Sequence, residues 1–192
     1  MKNVIILGAG GQIARRVIDI LVKRDDINLT LFLRDKSRLR GKDISTSRIV
    51  EGDVLNFDRL KEAIAGQDVV YANLAGDLEA MAKNIVRAMG ETEVRKLIFI
   101  SSVGIYDDPV KPVLKPYRKA ADVIEASGLE YTILRPTWFT GADEVDYETT
   151  RKGEPERGSV ISQKSLATLV AKIIEAPEEY ARENLGVNKP NS

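Results

Sequence analysis

The chain of 192 residues contains no cysteine and no histidine, and a single tryptophan. Without thiols there is neither a disulfide framework nor a thiolate nucleophile. Without imidazole the commonest metal ligand and general base is missing, which excludes zinc catalysis and Ser-His-Asp hydrolysis and leaves no metal site to expect. Net charge is lacking as well: 29 Lys plus Arg balance 29 Asp plus Glu, so no global field draws the protein to DNA, RNA or an anionic membrane. Long hydrophobic runs are also absent. Met1-Lys2-Asn3-Val4-Ile5-Ile6-Leu7-Gly8 holds four consecutive apolar residues before glycine, too few for a signal peptide or a spanning helix. A cytoplasmic protein with no nucleic-acid and no membrane partner is expected.

What is present is the composition of a globular protein, 43% hydrophobic and 30% charged, at a length that suits one domain. Short apolar runs at residues 4–7, 29–33, 48–50, 68–73, 97–101 and 131–134 alternate with stretches of helical spacing. Several runs are apolar throughout, as parallel strands covered on both faces require. The helical stretches carry Ile13, Val17, Ile18, Leu21 and Val22; Leu60, Ala63 and Ile64; Met81, Ile85 and Met89; Ala120, Val123 and Ile124. This βαβ rhythm predicts an open α/β fold with a doubly wound parallel sheet. Ser162 is placed to cap a last helix carrying Leu166, Leu169, Val170, Ile173 and Ile174, ending near Pro177. Residues 140–158 show no period and read as an irregular excursion.

The strongest chemical signal is Gly8-Ala9-Gly10-Gly11-Gln12-Ile13-Ala14, directly after the first strand and opening the first helix. A tight glycine turn lets backbone approach a pyrophosphate, whose charge meets the helix N-terminus, and Ala14 permits close helix-to-strand packing. The spacing is G-x-x-G-x-x-A; Ile13 stands where a third glycine of G-x-G-x-x-G would be. After the second strand comes Arg34, suited to the 2′-phosphate of NADP, with Asp35 beside it as a carboxylate that would suit NAD. Asp53 and Val54 follow the third strand, where they either flank an adenine or make a turn. Leu74, Ala75 and Gly76 follow the fourth, small enough for a dinucleotide to lie against the strand ends.

In this order the pieces resemble the short-chain dehydrogenase/reductase superfamily, in its atypical NmrA-like, NAD(P)-binding branch. The resemblance rests on the glycine turn, Arg34, Gly52-Asp53-Val54, Asn73-Leu74-Ala75-Gly76, Ile100-Ser101-Ser102-Val103-Gly104-Ile105-Tyr106, and Ser127-Gly128-Leu129-Glu130-Tyr131-Thr132-Ile133-Leu134-Arg135-Pro136. It implies a single Rossmann-type domain, residues 1–192, with residues 136–192 contributing a small C-terminal substrate lobe. It also implies that Ser102 and Lys119 are the catalytic Ser and Lys, that Lys119 holds nicotinamide-ribose hydroxyls, and that backbone at Pro136 meets the carboxamide. Four residues before Lys119, where the superfamily places its proton-donating Tyr, stands Lys115. Tyr117 lies about 200° around the helix from Lys119, and Tyr106 is an alternative phenol or rim packing. Trp138 and Phe139 either wall a ring-shaped substrate or pack as core.

These readings lead to an NADPH-dependent oxidoreductase, preferring NADPH to NADH, that passes hydride to a small planar acceptor such as a flavin or quinone. Such acceptors take their proton from water, so the missing Tyr does not forbid the reaction. The rival reading is a non-catalytic NAD(P)-binding sensor that regulates a protein partner. A sugar-nucleotide epimerase fits less well, because those chains carry a larger C-terminal substrate domain.

Overall fold

The computed structural model describes residues 1–41 and 43–192. In chain order the elements are β1 Lys2–Leu7, α1 Gln12–Leu21, β2 Ile27–Leu33, β3 Arg48–Glu51, α2 Phe57–Ile64, β4 Val69–Ala72, α3 Leu78–Glu91, β5 Lys96–Ile100, α4 Lys115–Glu125, β6 Glu130–Pro136, β7 Trp138–Thr140, β8 Glu148–Arg151, β9 Val160–Ser162, α5 Gln163–Glu175 and β10 Glu183–Asn188. The main sheet has the order β3-β2-β1-β4-β5-β6-β10-β8. All its pairings are parallel except β10 with β8. This is the doubly wound α/β fold that the alternation of runs predicts.

The continuously apolar strands are buried on both faces. Alternate β1 residues divide between two cores, Val4 and Ile6 packing with α1 and α5, Ile5 and Leu7 with α2, α3 and α4, as the period of two in a strand dictates. Ser162 caps α5 as expected, accepting from the Ser165 N–H at 2.9 Å, and the helix ends before Pro177.

Residues 136–192 are woven into the same sheet. β10 pairs with β6 from Glu183↔Thr132 to Val187↔Pro136 and with β8 on its other side, so part of the excursion at 140–158 is a sheet strand. β7 and β9 form a separate two-stranded ribbon, in parallel register with Phe139 opposite Ile161. Among the described residues no helix is long and apolar enough to cross a membrane.

The sheet core sets the expected cost of a deletion. Phe99 in β5 is wholly buried against the α3 and α4 side, so Phe99→Ala should cost about 3–5 kcal/mol. Val113→Ala, at a site 73% exposed, should be close to neutral. Urea unfolding midpoints of the two variants check the contrast.

Candidate functional site

At the carboxyl ends of β1, β2, β3 and β4 lies a cleft of about 750 Å³, in the crevice where open α/β sheets bind ligands. Its centre is the turn from β1 into α1. Gly8 sits at φ +79°, and a side-chain carbon there would stand 2.2 Å from the Asn73 carbonyl oxygen, so only glycine fits. The turn is held by Gly8 N–H and Ala9 N–H donating to the Phe32 carbonyl and by Gly11 N–H donating to the Gly8 carbonyl. Ala9 is wholly buried beneath it.

The helix that follows starts without help. Gly11 is the N-cap of α1, no side chain caps it and its first turn holds no acidic residue. By contrast α2, α3 and α5 are capped by Asn56, Asp77 and Ser162. The first N–H groups of α1 are therefore left for something outside the helix, and they open on a cleft lined by Gly8, Gly10, Gly11, Gln12 and Ile13. That is the chemistry of a phosphate cradle, and the residues present fit a dinucleotide.

Arg34 and Asp35 both line the cleft, and the structure separates them. The Asp35 carboxylate accepts from the Ser37 N–H at 2.8 Å, capping the short 3-10 turn Lys36–Leu39; hydrogen bonds from Ser37 hold that carboxyl below its ordinary pKa. Arg34 is exposed and in no salt bridge with a described residue. Arg38, from the same turn, is likewise in no salt bridge with a described residue, although its charge also acts on Asp35, and its side chain lies over Gly10, where an added carbon would meet Arg38 Cδ at 3.1 Å. Arg38 is a cleft residue that the spacing of the sequence did not single out. Asp53 and Val54 also line the cleft, and the Asp53 carboxylate accepts from the Leu55 N–H at 2.9 Å, so turn and lining coexist. Leu74 and Ala75 line it too, whereas Gly76, at φ +112°, lies just outside.

The residues expected to do chemistry are less gathered. Ser102 follows β5 half-buried, its hydroxyl donating to the Val103 carbonyl at 3.1 Å. Lys119 pairs with an acid: its ammonium lies 3.0 Å from Glu79 on α3, its side chain 63% exposed. Hydrogen bonds from Lys83 and then Lys119 hold the Glu79 carboxyl below its usual range. α4 is turned so that Tyr117 faces the cleft and Lys119 faces α3. Pro136 is buried, and its carbonyl accepts from the Val103 N–H at 3.1 Å. Phe139 lines the cleft, while Trp138 beside it is 79% exposed and does not.

Tyr106 belongs to a different place. Its hydroxyl accepts from Asn184 Nδ2 at 2.7 Å, and its ring lies under the Arg118, Arg135 and Lys152 cations. Arg135 is buried, with Nε donating to Asn184 Oδ1 at 2.8 Å and Nη1 paired with Glu156. Burial, and then Glu125, raise the Tyr106 phenol above its ordinary pKa. This network ties the loop after β5 to β6 and β10; it does not line the large cleft.

The model of the NAD(P)H-binding family matches residues 8–177, and the chain belongs to that family. It is 50% identical to a Rossmann-fold NAD(P)-binding family protein from Shigella flexneri, with a TM-score of 0.93 over 100% of this chain and 95% of that one. It is 27% identical to a short-chain dehydrogenase/reductase from Veillonella parvula solved in complex with NADP, with a TM-score of 0.91 over 99% and 95% of the two chains. A curated relative, the uncharacterized sugar epimerase YhfK of Bacillus subtilis, is 25% identical over 92% of this chain and 90% of that one. Other curated relatives are longer: the match to cinnamoyl-CoA reductase 1 of Petunia hybrida, 32% identical, spans 55% of this chain and 37% of that protein.

Two glycines of the turn should separate folding from binding. Gly8→Ala meets backbone in a conformation that L-residues resist and should destabilise by more than about 1 kcal/mol. At Gly11 an added carbon meets the Asn73 side-chain amide at 2.7 Å, which can rotate away, and the Gly8 carbonyl oxygen at a tight 3.3 Å. Gly11→Val should therefore cost less stability than Gly8→Ala yet lose its thermal stabilisation by NADPH, because the side chain stands in the phosphate cradle. Melting curves with and without cofactor check both.

Proposed function

We propose that the protein is an NADPH-dependent oxidoreductase that reduces a small planar acceptor such as a flavin or quinone. The observation that carries this reading is the division of one cleft. Glycines and an uncapped helix start occupy its centre, Arg34 and Arg38 one end, and Tyr117 and Phe139 the other. Bound there, NADPH supplies hydride. Gly8, Gly10, Gly11, Gln12 and Ile13 cradle the pyrophosphate over the buried Ala9. Arg34 and Arg38 hold the 2′-phosphate, and Asp53 and Val54 flank the adenine. Leu74, Ala75 and Gly76 let the cofactor lie against the strand ends, and backbone at Pro136 holds the carboxamide. Ser102 polarises the acceptor. Lys119 reaches the ribose by leaving Glu79. Trp138 and Phe139 exclude water from the acceptor side, and residues 136–192 are the substrate-facing part of a single domain.

A second reading, an NAD(P)-binding regulator of a protein partner, is favoured by one observation: Lys119, the residue meant for the ribose, is engaged by Glu79. Turnover separates the two. Excess NADPH should be oxidised by quinones or flavins about a hundredfold faster than by aliphatic ketones, since a ketone needs the proton donor that Lys115 does not replace. Brisk ketone reduction would contradict the placement. Failure of every acceptor, with tight NADPH binding, would favour the regulator.

Cofactor preference is an independent test. A guanidinium on a phosphate contributes roughly 1.5–3 kcal/mol, about ten- to hundredfold in affinity. Calorimetry should show NADPH bound more tightly than NADH, with Arg34→Ala and Arg38→Ala each narrowing the gap by weakening NADPH alone. Equal affinities in the wild type would refute it.

A further inference from the structure

We infer that Tyr117 and Phe139 form an aromatic clamp that takes an uncharged planar ring between them, an inference that rests on the reductase reading and names its acceptor site. The two side chains come from opposite sides of the sheet. Tyr117 continues the inward stripe of α4, Tyr117, Ala120, Ala121 and Ile124, at helical spacing; the last three are wholly buried in the core that α4 shares with α2 and α3. Phe139 lies on β7, opposite Ile161, which is buried in the core of the α1 and α5 side. The two layers meet beyond the strand ends, and there both rings line one cleft.

The charge distribution says what such a clamp would take. The lining residues with ionised side chains are Arg34, Asp35, Arg38 and Asp53, and all four follow β2 or β3, at the far end of the cleft. Around Tyr117 and Phe139 the lining is Leu74, Ala75 and Met81. Among these lining residues a phosphorylated sugar would find no counter-charge. A flat neutral ring finds two aromatic faces and a thioether, partners that favour offset stacking and sulfur contact. Phe139 remains 44% exposed, a large apolar side chain at a cleft mouth with room to be covered. Neighbouring strand residues point to opposite sides, so Trp138 turns away from the clamp while remaining close enough to report on it.

The test is binding, read without turnover. Protein saturated with NADP⁺ is titrated with riboflavin and, separately, menadione, following fluorescence of Trp138, the only tryptophan of the chain. The wild type and Tyr117→Phe should bind within about twofold of each other, because the ring does the work. Tyr117→Leu, which keeps bulk in the core, and Phe139→Ala should each weaken binding about fivefold to tenfold. Wild-type affinity in Tyr117→Leu would overturn the clamp, as would an equal loss in Tyr117→Phe and Tyr117→Leu, or no binding of either ring by the wild type. Turnover by the wild type together with any of these results leaves the reductase reading standing without the clamp. Failure of every acceptor with the expected binding pattern does the reverse.

Discussion

The site depends on one close approach of two backbones, the turn after β1 against the end of β4. A side-chain carbon at Gly8 would stand 2.2 Å from the Asn73 carbonyl oxygen, so the chain can turn sharply there only with glycine. That turn delivers α1 with its first N–H groups uncapped and facing the crevice. Any other residue at Gly8 would push the strand ends apart, and the cradle, the Arg38 contact over Gly10 and the burial of Ala9 would go with them.

From this centre the cleft acquires its two ends by topology. Strand order β3-β2-β1-β4 places the loops after β2 and β3 on one side of the glycine turn. The loops there carry Arg34 and Arg38, both lining the cleft and neither in a salt bridge with a described residue, and guanidiniums suit a phosphate. On the other side, α4 and the β7–β9 ribbon bring in Tyr117 and Phe139. Charge at one end and aromatic surface at the other match a molecule with phosphates at one end and a flat ring at the other.

Much of this was legible in the sequence, for identifiable reasons. Parallel strands covered on both faces leave continuous apolar runs, and the glycine spacing between such a strand and a helix has few other uses. Ser162 announced α5 because a hydroxyl before an apolar stripe caps it. β10 was not legible: Asn184, Gly186 and Asn188 are poor strand formers, and the segment is a strand only because β6 and β8 pair with it on both sides. Lys119 comes from the family resemblance and not from the stripe of α4: Ala120, Ala121 and Ile124 are buried, with Val123 partly buried beside them, and at about 100° per residue that face is nearer Tyr117 than Lys119. The adjacency of Arg34 and Asp35 left their roles open in sequence, and the Ser37 N–H bond to Asp35 is a local detail that spacing does not encode.

The central claim is that NADPH seated on this turn gives hydride to a flat ring held at the cleft's far end. It is tested most directly by an anaerobic single turnover with NADPH deuterated at either the pro-R or the pro-S position of C4, mixed with protein and menadione. The account predicts loss of the reduced-nicotinamide absorbance, with a primary isotope effect from one of the two labelled forms only, because a nicotinamide held in one orientation would present a single face to the acceptor. Persistence of the absorbance with NADPH demonstrably bound, for menadione and riboflavin alike, would contradict it.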